Sequence, residues 1–207
     1  MLNHTLKKNS CYINPQKALV IYSFLLVISI LSACTQIYTP KPTGFIRIEP
    51  PVARYMHFNE VELPYTFNIS QYSIIELPPT DSAVHWINID YPDYDAIIYC
   101  SYKQIVPQTL NEHIEECIKL SERVARNASA ITERSYENEK DNVYASLFFI
   151  EGETASPVQF MLTDSISHFF RGALYYKYKC NADSIAPVTN YLINDITEII
   201  QTFHWKK

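Results

Sequence analysis

The clearest periodicity in the chain begins at Leu110. Apolar or small residues recur at Leu110, Ile114, Cys117, Ser121, Val124 and Ala128, three or four apart. Asn111, Glu115, Glu116, Lys119, Glu122, Arg123 and Arg126 fill the positions between. One apolar stripe against one charged face predicts an amphipathic helix over 110–128. Thr109, followed three residues on by Glu112, has the spacing of a capping box at its start. A second stripe, Ile185, Val188, Leu192, Ile196, Ile199 and Phe203, predicts a C-terminal helix. Asp183 and Ser184 are suited to cap it, and Pro187 is tolerated in a first turn. Lys206 and Lys207 suit the negative end of its dipole.

Elsewhere the pattern alternates with a period of two, which predicts strands. These are GFIRIEPP (44–51), YTFNIS (65–70), SIIEL (73–77), HWINIDYP (85–92) and DAIIYCSYK (95–103) before the first helix. After it come NVYASLFFI (142–150) and PVQFMLTD (157–164), which flank Glu151-Gly152-Glu153 as a hairpin. HFFRGALYYKYK (168–179) puts Phe170, Leu174 and Tyr176 on one face and Arg171, Lys177 and Lys179 on the other. Gly172 interrupts that pattern, so a bulge or a close backbone approach is expected there. The order of strands, helix, three strands, helix defines an α+β domain. Its sheet is mainly antiparallel and flanked by two amphipathic helices, with the PsbP/Mog1-like sandwich as a fold-level analogy.

One long apolar run, Ala18 to Leu31, precedes all of this. Lys7, Lys8 and Lys17 stand before or at its edge, with no acid. Basic segment, short apolar run, then small residues is the layout of an export signal. The run is short of the roughly 20 residues a membrane span needs. It closes on Leu31-Ser32-Ala33-Cys34, which resembles a bacterial lipobox. An uncleaved anchor helix, or an ordinary signal with an incidental cysteine, is the competing reading. Charge, length and box agree on a lipoprotein. Residues 1–33 are then a signal peptide, 34–43 a lipidated tether with two prolines, and 44–207 a single domain. Cys34 would carry diacylglycerol on its sulfur and an N-acyl chain such as palmitate on its amine. These chains tether rather than span, at ~0.8 kcal/mol per buried CH₂. Thr35, in place of aspartate, favours the outer membrane, with the domain facing the periplasm.

Cleavage removes three of the 17 basic residues and none of the 22 acidic ones, so the mature charge is −8. No basic stripe exists for nucleic acid. Three glycines, at 44, 152 and 172, are too few and too dispersed for a phosphate-cradling loop. Cys100, Cys117 and Cys180 remain in the mature chain and allow at most one internal pair, with buried free thiols expected.

Candidate chemistry is sparse. His113 and Cys117 lie one helical turn apart but lack further ligands of matching spacing, so a solvated helix face is expected and no metal. Thr163-Asp164-Ser165-Ile166-Ser167-His168 assembles nucleophile, acid and base, yet no nucleophile elbow surrounds either serine. A turn in which Asp164 bonds its own backbone is expected instead. Asp90, Asp93 and Asp95 read as a polar turn rather than a calcium loop. Trp86, Tyr91, Tyr94, Tyr99 and Tyr102 fall on both faces of alternating strands, as in ordinary sheet packing.

YTPKPTGFIRIEPP, WINIDYPDYDAIIYCSYK, VQFMLTDSISHFFRGALYY and the closing PVTNYLINDITEIIQTFHWKK together resemble the gliding motility-associated lipoprotein GldD family. The resemblance runs from about Tyr38 to the C-terminus. It implies a cell-envelope lipoprotein that works beside the type IX secretion machinery as a non-enzymatic component with envelope protein partners. It supplies no catalytic residues and no cofactor beyond the lipid. A tethered binder of a small or lipidic ligand in a sandwich pocket is the alternative, and a hydrolase a third reading. The stretch with Gln159, Phe160, Thr163, Asp164, Arg171, Gly172 and Tyr175 is a candidate interface, since arginine and tyrosine are favoured at hot spots. The competing expectation, given more weight, pairs Arg171 with a carboxylate such as Asp164.

Overall fold

In a computed structural model the described residues are 49–77, 85–178 and 182–206, with Gln16 and Leu19. The signal, the lipobox, the tether, most of the 44–51 strand and Cys180 lie outside them. Contacts divide the chain into two compact units, Met1–Gly44 and Phe45–Lys207.

In the second unit the described residues form ten strands and two helices. They are β1 (Tyr55–Phe58), β2 (Tyr65–Ser70), β3 (Ile74–Glu76), β4 (Ile87–Tyr91), β5 (Ala96–Gln104), α1 (Leu110–Val124), β6 (Ala128–Asn138), β7 (Val143–Gly152), β8 (Val158–Thr163), β9 (His168–Tyr176), α2 (Ala182–Gln201) and β10 (His204–Trp205). Seven strands form one antiparallel sheet in the order β3-β4-β5-β9-β8-β7-β6. The smaller sheet is β1-β2-β10, also antiparallel. The α+β class with two helices and a mainly antiparallel sheet is therefore as expected.

Period-two alternation sorts the large sheet into two faces. Ile87, Ile89, Ile98, Val158, Phe160, Leu162, Phe170 and Leu174 point one way. They pack with Tyr65, Phe67, Leu192, Ile196 and Phe203 into the main core. Tyr65 and Phe203 both lie against Phe170, with ring centroids 4.8 and 5.2 Å away. The opposite face carries Phe148, Met161 and Phe169, which α1 covers with Cys117, Ile114 and Leu110.

Several boundaries differ from the expectation. α1 stops at Val124, and Ala128 opens β6 instead of closing the helix. The Ala125 N–H still bonds Ser121 O, and the Ala128 N–H turns back to Ala125 O at 2.8 Å, which reverses the chain. No capping box forms at Thr109, whose hydroxyl is used by Val106 of the preceding turn. α2 begins at Ala182, so Asp183 stands in its first turn and Pro187 lies deeper inside the helix. The chain leaves α2 before its lysines. Phe203 plugs the core, His204 and Trp205 pair with β2, and the Lys206 N–H bonds Pro64 O. The last turn of α2 therefore carries no basic residue. β1, β6 and β10 were not expected from the alternation.

Candidate functional site

The Thr163–His168 segment folds as a tight turn between β8 and β9. Asp164 Oδ1 accepts from the backbone N–H groups of Ile166, Ser167 and His168 at 2.8–2.9 Å, and Oδ2 from the Ser167 hydroxyl at 2.9 Å. Thr163 Oγ1 accepts from the Ser165 N–H and donates to His168 O. Ser165 sits in the left-handed region at φ 64°. Burial pushes the Asp164 carboxyl upward, but the three backbone donors and Ser167 outweigh it and hold the group below its ordinary range. The carboxylate is thus consumed by its own turn, as expected. The His168 ring faces elsewhere: Nδ1 meets the Tyr102 hydroxyl at 2.6 Å and the ring stacks on Trp205. Neither serine hydroxyl is aligned with that imidazole.

Arg171 does not pair with Asp164. Its Nη2 donates to Gln159 Oε1 at 2.7 Å, an oxygen that also accepts from Ser121 Oγ of α1 at 3.3 Å. Strand register explains the choice. Met161 stands opposite Arg171 and Gln159 is the diagonal neighbour on the same face, whereas Asp164 lies past the end of the ladder. Cys117 packs beside this pair, and burial pushes its thiol up to about 11, with Arg171 opposing. Cys100 and Cys117 are both free and buried.

The seven candidate interface residues do not gather into one surface. Gln159, Phe160, Thr163 and Gly172 are buried, Phe160 and Gly172 against the main core and Gln159 beneath α1. Asp164, Arg171 and Tyr175 are the members that reach solvent in part, and Tyr175 meets Tyr99 edge to face at 5.7 Å. Gly172 is the close approach that its position suggested, with regular register to Cys100 and Phe160 rather than a bulge.

The remaining candidates take structural places. Asp90 bonds Lys177 at 2.7 Å, and Asp95 closes the Pro92–Tyr94 turn at φ 48°. The His113 ring lies on Phe169 at 5.6 Å. Among the described residues no group of three or more His, Cys, Asp or Glu is placed to hold a metal. Tyr91 and Tyr102 are buried, while Trp86 and Tyr99 are exposed.

Two features were not anticipated from the sequence. Asp195 of α2 is buried and accepts from the Tyr55 hydroxyl at 3.0 Å, beside Ser70, Tyr91 and Tyr191. Burial raises its carboxyl despite the hydroxyls around it. Its spacing from Leu192 and Ile199 placed an acid inside the apolar stripe, which was the available signal. The second is an open groove of about 280 Å³ on the α1 face, lined in part by Leu110, Ile114, Ser135, Tyr144, Ser146 and Met161. Ser135 belongs to the unanticipated β6, so its wall was invisible in the alternation.

An antiparallel α+β domain with an apolar core on one face of its large sheet and an open groove on the α1 face is the class this architecture defines. Its polar side chains at the expected motifs are spent on turns and strand pairs. The chain belongs to the gliding motility lipoprotein GldD family, whose model matches residues 35–205. No match was found among curated proteins. The solution structure of cyanobacterial PsbP (CyanoP) from Synechocystis sp. PCC 6803 is similar with a TM-score of 0.47 and 10% identity, over 85% of this chain and 99% of that one.

Proposed function

We propose that this chain is lipidated at Cys34, held at the outer membrane with its domain in the periplasm, and serves the gliding and type IX secretion machinery as a non-enzymatic binding component. The observation that carries this is the extent of the family match, which starts one residue after Cys34 and runs to Trp205. The apolar run and small-residue box before Cys34 support export and lipidation. The local partners of Asp164 and His168 support a binding role over hydrolysis.

Replacing Cys34 with alanine in a gliding host that lacks its own copy tests the whole reading. The variant is expected in the soluble envelope fraction, with spreading on agar and adhesin export both lost. Crosslinking of the wild type in intact cells is expected to capture envelope proteins of the same machinery. Membrane retention without Cys34, or normal spreading and export, overturns the proposal.

A further inference from the structure

β6 is the terminal strand of the seven-stranded sheet and, among the described residues, pairs with β7 alone. Its other edge presents main-chain N–H and C=O groups on alternate residues along an eleven-residue strand. Nearly all of its side chains are exposed on both faces. Long edges of this kind accept further strands unless prolines, bulges or charges guard them. Here the one register irregularity lies at Ala128/Ala130, at the far end, and no proline interrupts 128–138. The charges present, Glu133, Arg134 and Glu137, are of both signs, so they guard against strands of like charge and not against complementary ones.

The face shared with α1 carries Ile131, Glu133, Ser135 and Glu137. Register places Ser135 opposite Ser146, and Ser146 opposite Met161. Two small side chains in a row across the strands leave a trough that opens at the sheet edge. The pair Glu137–Tyr144 walls it on one side, and the register places the pair Glu133–Phe148 next along the strands on the other. Leu110 and Ile114 of α1 line the same groove, whose volume is about 280 Å³.

We propose that β6 is a strand-addition site for an extended segment of a partner protein. The segment carries a bulky apolar side chain opposite Ser135, with lysine or arginine two positions to either side. The apolar side chain enters the trough, and the cations face Glu133 and Glu137. Main-chain bonds supply affinity, and the alternate side chains supply selection. The pattern is symmetric, so it fits either strand direction. A second copy of β6 does not satisfy it. The single cation of that strand, Arg134, sits over the Phe149 ring at 4.8 Å. Self-pairing centred on Glu133 or Arg134 also opposes like charges. The inference names a docking mode for the partner-binding role proposed above and rests on that role only for the partner's compartment.

The test uses the full-length lipoprotein in detergent and a fluorescein-labelled heptapeptide, TKTFTKT. Binding is read by anisotropy and by hydrogen exchange. Peptide is expected to slow exchange within 128–138 by about threefold or more. Ser135→Trp, which fills the trough from an exposed position, is expected to weaken binding by about tenfold, as is Phe to Ala in the peptide. The double change Glu133→Lys, Glu137→Lys is expected to reject TKTFTKT and accept TETFTET. No binding, protection outside β6, or equal affinity across these variants and peptides overturns the inference. Each of those results leaves the Cys34→Ala fractionation untouched, so the two proposals fail separately.

Discussion

The ring of Phe160 fills the space in which a side chain at Gly172 would stand. A Cβ built on Gly172 falls 2.1 Å from Phe160 Cζ, and the two residues are direct cross-strand partners. Phe160 is itself buried in the main core, so its ring has little room to withdraw. Gly172→Ala is therefore expected to cost about 1–3 kcal/mol, the range for overpacking. Adding Phe160→Leu is expected to recover part of that loss. Urea melts of the two single variants and the double check both statements. A fully tolerated Gly172→Ala would show that the ring is not confined.

Arg171 and Asp164 serve different structures, and their contributions are expected to add. Arg171→Ala strips Gln159 Oε1 of its shortest partner at a buried position, with an expected cost of about 1–2 kcal/mol. Combined with Asp164→Ala, the coupling is expected to stay below about 0.5 kcal/mol. A double-mutant cycle in urea measures it. Coupling well above that value would mean the two side chains form an ion pair in solution.

Asp164 makes stability depend on pH in one direction. Its folded pKa lies below the unfolded value, so its contribution is present above an unfolded pKa of about 3.9. The contribution is lost as pH falls through the depressed folded value. Asp164→Asn is expected to flatten the acid limb of a stability–pH profile below about pH 4. Partial exposure of the group keeps the effect modest. An unchanged acid limb would place the dependence on other carboxylates.

Asp195 acts with the opposite sign. Its folded pKa is raised, so its contribution is full below the unfolded pKa and declines as pH rises through the folded value. The Tyr55, Tyr91 and Tyr191 hydroxyls, Ser70 and the more distant Glu198 face it, and none is a cation. Asp195→Asn keeps an acceptor for Tyr55 and removes the buried charge. The variant is expected to match or exceed the wild type at pH 7–8 and to lose that margin in acid. Thermal melts across that range test this, and a variant weaker at neutral pH than in acid would sink it.

Strands with at least one buried face were legible. YTFNIS is β2 residue for residue, β4, β5, β7 and β8 fall within a residue or two of the alternating segments, and β9 starts where expected but ends at Tyr176, three residues early. β6 was not, because an edge strand wet on both faces needs no alternation. Ala128 fitted the helical stripe as well as the first strand position, so the helix seemed longer than it is. β10 was hidden because Phe203 continues the stripe of α2 while belonging to the turn after it. The Asp164 turn was legible since Asx chemistry is local. The Arg171–Gln159 pair depends on the β8–β9 register, which no local pattern encodes.

β2 is the shared middle of the small sheet, with the four-residue β1 on one side and the two-residue β10 on the other. If the chain is held by lipid at Cys34 as proposed, tension arriving from the N-terminal side reaches the Arg54–Gln71 bond and the short β1–β2 ladder before any other strand of the described domain. The nine-residue β5–β9 ladder lies further along the load path. Under such a pull, the first joint along the chain would yield before the large sheet does, making β1 a mechanical fuse for the body of the domain.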